Sequence, residues 1–269
     1  MERHRKSPAA EAADPRLISG IYNYCHRWCE RCSFSDRCAV FRDTREYQRD
    51  HPDSGPLEHV EDSFRRTMAL LAEWCEREGI NLEAIQQEAE GEEAAAAQNR
   101  LDETIDGDRL LKAAKDYGHR ALDIVEQLQK VERLAGWPPP VSAAVETISW
   151  YAFFISAKIS RALYGLVDPD AHGGDAHPVQ NDWNLSAKAA RMAIGESCRA
   201  WDILLDAGDA QPQSPLRELV DLLQKIDTDI AGRFPRAMEG VRPGFDEPDV
   251  AAGALTTLAC FEPRSWQQG

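Results

Sequence analysis

Four of the seven cysteines in this 269-residue chain, Cys25, Cys29, Cys32 and Cys38, fall within fourteen consecutive residues in the pattern Cys-x3-Cys-x2-Cys-x5-Cys. Ionised thiols are soft ligands, and four of them so close together have the chemistry of a metal or iron–sulfur site. Structural zinc usually takes two short cysteine knuckles separated by a longer loop. Here every interval is short, as in the contiguous runs that hold cubane clusters, so the spacing favours a 4Fe-4S cluster, with zinc as the alternative. His26 is a substitute for Cys38 as fourth ligand. At about 100° per residue, however, it points well away from Cys25 on a helix and is expected to be exposed.

The same angular step predicts how the thiols converge. Cys29 lies about 40° round from Cys25 and Cys32 about −20°, so a helix would carry these three on one stripe, while Cys38 would point to the opposite side. The chain must therefore break after Cys32. "SFSD" supplies the break, with Ser33 or Ser35 capping a second helix from about Asp36 through Phe41 and Cys38 in its first turn, where the helix N-terminus helps keep a thiol ionised. Tyr22, Tyr24, Trp28, Phe34 and Phe41 are placed to shield a cluster from water. Arg27, Arg31 and Arg37 would favour its more negative reduced state, unless they are solvated and the aromatics only pack.

"CERCSFSDRC", Cys29 to Cys38, resembles the cluster-binding cysteine motif of WhiB-like proteins and of endonuclease III-type glycosylases, with Ser33 and Phe34 where those motifs often carry a proline and an apolar residue. The resemblance covers ten residues and implies a cluster rather than an activity. The chain as a whole resembles uncharacterised bacterial helical proteins that begin with a "YC...WCERC" segment, which implies no activity either. Cys25-x3-Cys29-x2-Cys32 also has the spacing of radical-SAM enzymes. Those resemble a β/α barrel, and the strand pattern of such a barrel is absent from this sequence.

The elements that must position these residues read as helices. Residues 1–15 are expected to be a disordered leader, 16–50 the cysteine unit, 57–235 a helical bundle and 236–269 an irregular tail. Leu57, Val60, Phe64, Met68, Leu71 and Trp74 or Cys75 recur at helical spacing up to Gly79, which predicts a helix with one buried face and a glycine cap. Residues 82–99 read as a solvated helix or helical linker. Leu110 to Val131 marks a long amphipathic helix ending before "GWPPP", and Val141 to Leu166 is apolar on nearly every side, as suits a helix surrounded by others. "VDPDAHGGDAHP" (Val167 to Pro178) is a loop, and helices follow from about Asn184 to Leu205 and from Pro215, after an N-cap at Ser214, to about Phe234. Neither alternating strand patterns nor internal repeats occur. The expected fold is all-α, an antiparallel bundle of four or five long helices with a small N-terminal cysteine-rich helical unit.

A second candidate site lies on the most apolar helix, where Glu146 would need a partner if buried ionised. Lys158, Arg161, Asp116, His119, Glu196 and Asp202 are the polar residues nearest to hand. A dimetal-carboxylate bundle requires paired Glu-x-x-His motifs. Only Asp116-x-x-His119 approximates one, so a satisfied polar network or ordinary surface charge is the simpler expectation. Cys75, Cys198 and Cys260 are isolated core or surface thiols.

The formal net charge is −15, and residues 1–50 hold ten Lys and Arg against eight Asp and Glu, so the cysteine region is the least acidic part of the chain. An acidic surface disfavours nucleic acid and anionic membranes as partners. The charged N-terminus lacks the apolar run of a secretory signal, and Lys158 and Arg161 interrupt the most apolar stretch, which places the protein in the cytoplasm, away from membranes. There, clustered cysteines are metal ligands or redox groups more often than disulfides. Two functions fit: an iron–sulfur protein for electron transfer or redox sensing with a redox or regulatory protein partner, or a zinc-bound four-cysteine module that is structural and non-catalytic. The sequence assigns no catalytic residue, and an enzyme using the bundle cavity is a weaker third reading.

Overall fold

The computed structural model describes residues 14–89, 91–168, 177–207 and 213–247. Most of the leader and the tail, the centre of the loop after Val167, and Cys260 lie outside the described residues. Eight α-helices occur among them and no strand: α1 (Ala39–Asp50), α2 (Pro56–Glu78), α3 (Leu82–Ala89), α4 (Glu92–Gly107), α5 (Arg109–Ala135), α6 (Pro139–Val167), α7 (Asp182–Asp206) and α8 (Gln213–Arg233). Short 3-10 turns at Ile21–Asn23, Cys29–Arg31, Ser35–Arg37 and Ala237–Glu239 complete the regular structure. The chain forms two compact units, one from the described residues of 1–23, 29–100 and 243–269, the other from 24–28 and the described residues of 101–242.

The second unit is the bundle. α6 packs on α5 and α7, and α8 closes the ring against both α7 and α5. Neighbours run antiparallel: Arg233 near the end of α8 pairs with Asp108 at the start of α5, while Arg120 reaches Glu218 further along (3.0 Å). Apolar residues at helical spacing fill the centre, among them Leu110, Leu111, Ala114, Tyr117 and Ala121 from α5, Ile148, Ile155 and Ile159 from α6, Trp201 from α7, and Leu219, Leu223, Ile226 and Ile230 from α8, each 2% exposed or less. One buried polar contact is built into this core, Trp201 Nε1 donating to Tyr117 Oη at 3.1 Å. It satisfies the indole N–H that burial would otherwise orphan.

Helix ends follow the sequence cues in part. Asn181 caps α7 by accepting from the Asn184 N–H (2.9 Å), and Asp108 accepts from the Leu110 N–H (2.8 Å) before α5. Ser214 lies inside α8 rather than capping it, because the helix already begins at Gln213. At Gly118, α5 comes so close to α6 that an added Cβ would lie 2.7 Å from the Ala152 carbonyl oxygen. Glycine is required there by space rather than by dihedral angle.

The first unit is built differently. α2 ends at Gly79 in the left-handed conformation (φ 69°), as predicted. Its apolar stripe, expected to be buried, is instead exposed at Leu57 69%, Val60 60%, Phe64 66%, Met68 41%, Leu71 37% and Trp74 45%, while Cys75, the alternative last position, is buried at 3%. The half-buried side carries His59, Asp62, Ser63 and Arg66. Arg66 holds Asp43 of α1 through two hydrogen bonds of 3.0 Å, and the buried Tyr47 of α1 packs on the His59 ring of α2 at 4.7 Å, so ion pairing and one aromatic contact, not the apolar stripe, tie α2 to α1. Among the described residues no helix is long and apolar enough to cross a membrane.

Candidate metal centre

The cysteine segment is turns rather than helix. Cys29 opens the turn Cys29–Arg31, the Cys32 N–H donates to the Cys29 carbonyl (3.2 Å), and Ser35–Arg37 forms a second 3-10 turn. The expected helical stripe of Cys25, Cys29 and Cys32 is therefore not formed. The reason is local: Arg27 takes φ 58°, a left-handed conformation that a continuous helix excludes and that costs a non-glycine residue about 1–2 kcal/mol. The second helix starts at Ala39, three residues later than expected, and Cys38 is its N-cap in an extended conformation rather than a member of its first turn. Neither Ser33 nor Ser35 caps it.

Cys32 and Cys38 share a small apolar cluster in the first unit. Its buried members are Ile21, Phe34 and Cys38, and Ile18, Tyr22, Cys32, Phe41 and Phe245 pack around them. Phe34 meets Phe245 edge-on at 5.1 Å between ring centroids. Gly244, at φ +79°, permits this packing, since a Cβ there would lie 2.9 Å from Ile21 Cδ1. Cys29 is half-buried at the edge of its turn, and Arg31 and Arg37 are exposed.

Cys25 belongs to the second unit, in a strip of five residues laid along α6. Trp28 stacks on Trp150 (5.1 Å, 17°), and Trp150 Nε1 donates to the His26 carbonyl at 2.8 Å. At the other end, Tyr24 Oη donates to Asp182 (2.9 Å), which also accepts two hydrogen bonds from Arg161 (2.6 and 2.7 Å). Trp150, Phe154, Lys158 and Arg161 lie three or four residues apart on one face of α6, so residues 28 to 24 run antiparallel above them. Lys158 sits on this stripe 7% exposed, with its ammonium 5.5 Å from the centre of the Phe154 ring. Burial lowers its pKa to about 8, helped by the like charges of Arg161 and Arg27, while Cys25 and Asp182 act in the opposite direction.

His26 is not exposed as expected. Its Nδ1 accepts from the Trp28 N–H (3.0 Å), and desolvation first, then the charge of Arg242, lowers its pKa. Of the five candidate shielding aromatics, Tyr22, Phe34 and Phe41 pack with Cys32 and Cys38, whereas Tyr24 and Trp28 are engaged by α6 and α7.

The second candidate site is not in the core. Glu146 lies on the exposed face of α6, opposite the stripe Val145, Ile148, Ile155 and Ile159. Asp116 is exposed and pairs with Arg120, His119 rests edge-on against Phe153, and Glu196 pairs with Arg199 on the surface. Cys198 is pushed up to about 12 by desolvation, then by Asp202 and Asp227, which leaves it a protonated thiol. Cys75 is buried.

The sequence reading missed Lys158, Arg161 and Asp182 as partners of the cysteine segment. A signal existed, since two cations and Trp150 recur on one face of an otherwise apolar helix. Among the described residues no group of three or more His, Cys, Asp or Glu side chains is arranged to hold a metal ion. No protein-family model, curated protein or solved structure matches the chain.

Proposed function

We propose that the chain binds a 4Fe-4S cluster through Cys25, Cys29, Cys32 and Cys38 and serves in electron transfer or redox sensing, with the acidic bundle as scaffold and docking surface for a redox or regulatory protein. The observation that carries this reading is the spacing itself, four thiols separated by three, two and five residues. Such a cluster supplies one-electron chemistry when bound. The residues around the thiols suit that role. Phe34, Tyr22, Phe41 and Phe245 surround Cys32 and Cys38 with apolar surface that excludes water, and Lys158 offers Cys25 a cation from below. Apolar surroundings and nearby charge are the means by which a protein tunes such a group. Voltammetry or electron paramagnetic resonance on protein isolated without oxygen tests the redox role. A reversible one-electron signal at a potential accessible in the cytoplasm is expected. A cluster fixed in one oxidation state under dithionite, and stable in air, contradicts it.

Zinc on the same four cysteines is the second reading. It is favoured by the scarcity of regular structure from residue 14 to residue 38, where three short turns, one small apolar cluster and the contacts of residues 24–28 with α6 and α7 hold the chain. A four-thiolate zinc ion would contribute folding free energy there without redox chemistry. Colourless protein with one zinc per chain identifies that case.

A further inference from the structure

The face of α2 has a use that the cysteine chemistry does not absorb. Leu57, Val60, Phe64, Thr67, Leu71 and Trp74 follow one another at intervals of three and four residues along a helix of 23 residues, the a and d positions of a heptad. Met68 and Leu70 widen the stripe on its flanks. A spacing of three and four is the seam of one helix against another; a strand or a small ligand would not require it. At about 150–250 Å² for a large side chain, exposures of 36–69% leave on the order of 600 Å² of this stripe in water. Covered by an equal stripe, it removes on the order of 1,200 Å², the lower edge of a stable protein interface.

We propose that this stripe is a dimer interface, closed by the same stripe of a second copy in an antiparallel two-stranded coil. The pattern is self-complementary in that arrangement. Centred between Arg65 and Arg66, it sets Leu57 opposite Trp74 of the second copy, Val60 opposite Leu71 and Phe64 opposite Thr67, so that all six positions are paired and the one small polar residue of the stripe faces its most exposed ring. A parallel pair fits less well. It would set Thr67 against Thr67 and Trp74 against Trp74 in the seam and align the two helix dipoles.

Sedimentation velocity and light scattering on the full chain at about 10–200 μM test this, and the expected mass is that of two chains. Phe64→Glu combined with Leu71→Glu places two charges in the seam of each copy and should raise the dissociation constant at least about 100-fold. Both residues are exposed in the single chain, so its far-ultraviolet circular dichroism should not change. Spin labels on a non-natural residue at position 76 report the direction, at about 30 Å apart if antiparallel and within about 15 Å if parallel. A single-chain mass for the unsubstituted protein overturns the proposal. So does a dimer that survives both substitutions. A chain ending at Glu247 that dimerises when the full chain does not would overturn it in favour of the chain's own C-terminal residues covering α2.

Discussion

The bundle of α5 to α8 buries whole side chains from four helices around Trp201 and Tyr117, whereas the cysteine region buries Ile21, Phe34 and Cys38 and little else. Both carry aromatic and aliphatic residues in quantity. What separates them is repetition. In the bundle each helix presents an apolar stripe to two neighbours, so burial accumulates turn after turn. In the cysteine region three short turns offer no stripe, and the neighbouring long helix α2 presents its apolar face to solvent. One region holds its shape through a core shared by four helices, and the other through a small cluster in which Cys38 is itself buried.

Substitutions in the bundle should therefore cost most. Trp201→Ala empties a site that is 0% exposed and removes the indole donor to the Tyr117 hydroxyl, and it is expected to lower unfolding free energy by about 3–5 kcal/mol in urea titrations. Ile85→Ala on α3, where Ile85 is 52% exposed, should change it by no more than about 0.5 kcal/mol. Similar losses at the two positions would remove the contrast.

Gly118→Ala comes next. Its Cβ would fall 2.7 Å from the Ala152 carbonyl oxygen and 3.1 Å from the Phe153 ring, so α5 and α6 must separate, at about 1–3 kcal/mol. Thermal melts followed by circular dichroism read the loss. An unchanged midpoint would mean that the helices do not approach so closely.

Lys158 sharpens the comparison, because it is a bundle residue that faces a cysteine. Its pKa falls from 10.5 to about 8 on folding, so between those values the unfolded chain holds the extra proton. Unfolding free energy then rises with pH across that window, and the cost of the buried charge is fully present below about pH 8. Lys158→Met should stabilise metal-free protein at pH 7 by up to about 2 kcal/mol after allowance for solvent screening, and flatten the rise. Urea titrations at pH 7 and pH 9.5 decide it. A variant as steep as the parent would show that Lys158 does not titrate there.

Arg27→Gly should have a smaller effect than these, in the opposite direction to the core substitutions. It relieves the left-handed strain at φ 58° and adds about 1 kcal/mol, less the flexibility that glycine gives the unfolded chain. A destabilised variant would show that the arginine's interactions outweigh its strain.

Much of the bundle was legible in the sequence because an apolar period of 3.6 identifies both a helix and its buried face when several helices share a core. Leu110 to Leu128 and Ile148 to Ile159 are read in this way. The same period misleads for α2. Leu57, Phe64 and Trp74 do share a face, but periodicity cannot say what covers it. The cysteine geometry failed for another reason. A wheel of 100° steps assumes continuous α-helix, and a single left-handed residue at Arg27 changes the direction of everything that follows. No propensity marks an arginine for that conformation. Cys38 as a cap was also illegible, since cysteine seldom serves as one and serine stood nearby in two places.

The central claim is that Cys25, Cys29, Cys32 and Cys38 act as one metal-binding unit, and the most direct test is the iron, sulfide and zinc content of protein purified without oxygen, read with its ultraviolet–visible spectrum. Brown protein with a broad band near about 400 nm and about four irons per chain is expected. Serine at any one of the four should lower the metal sharply, and serine at Cys75, Cys198 or Cys260 should not. Colourless protein without iron would contradict the cluster, and full metal retention in Cys38→Ser would contradict the four-cysteine unit and return His26 as the fourth ligand.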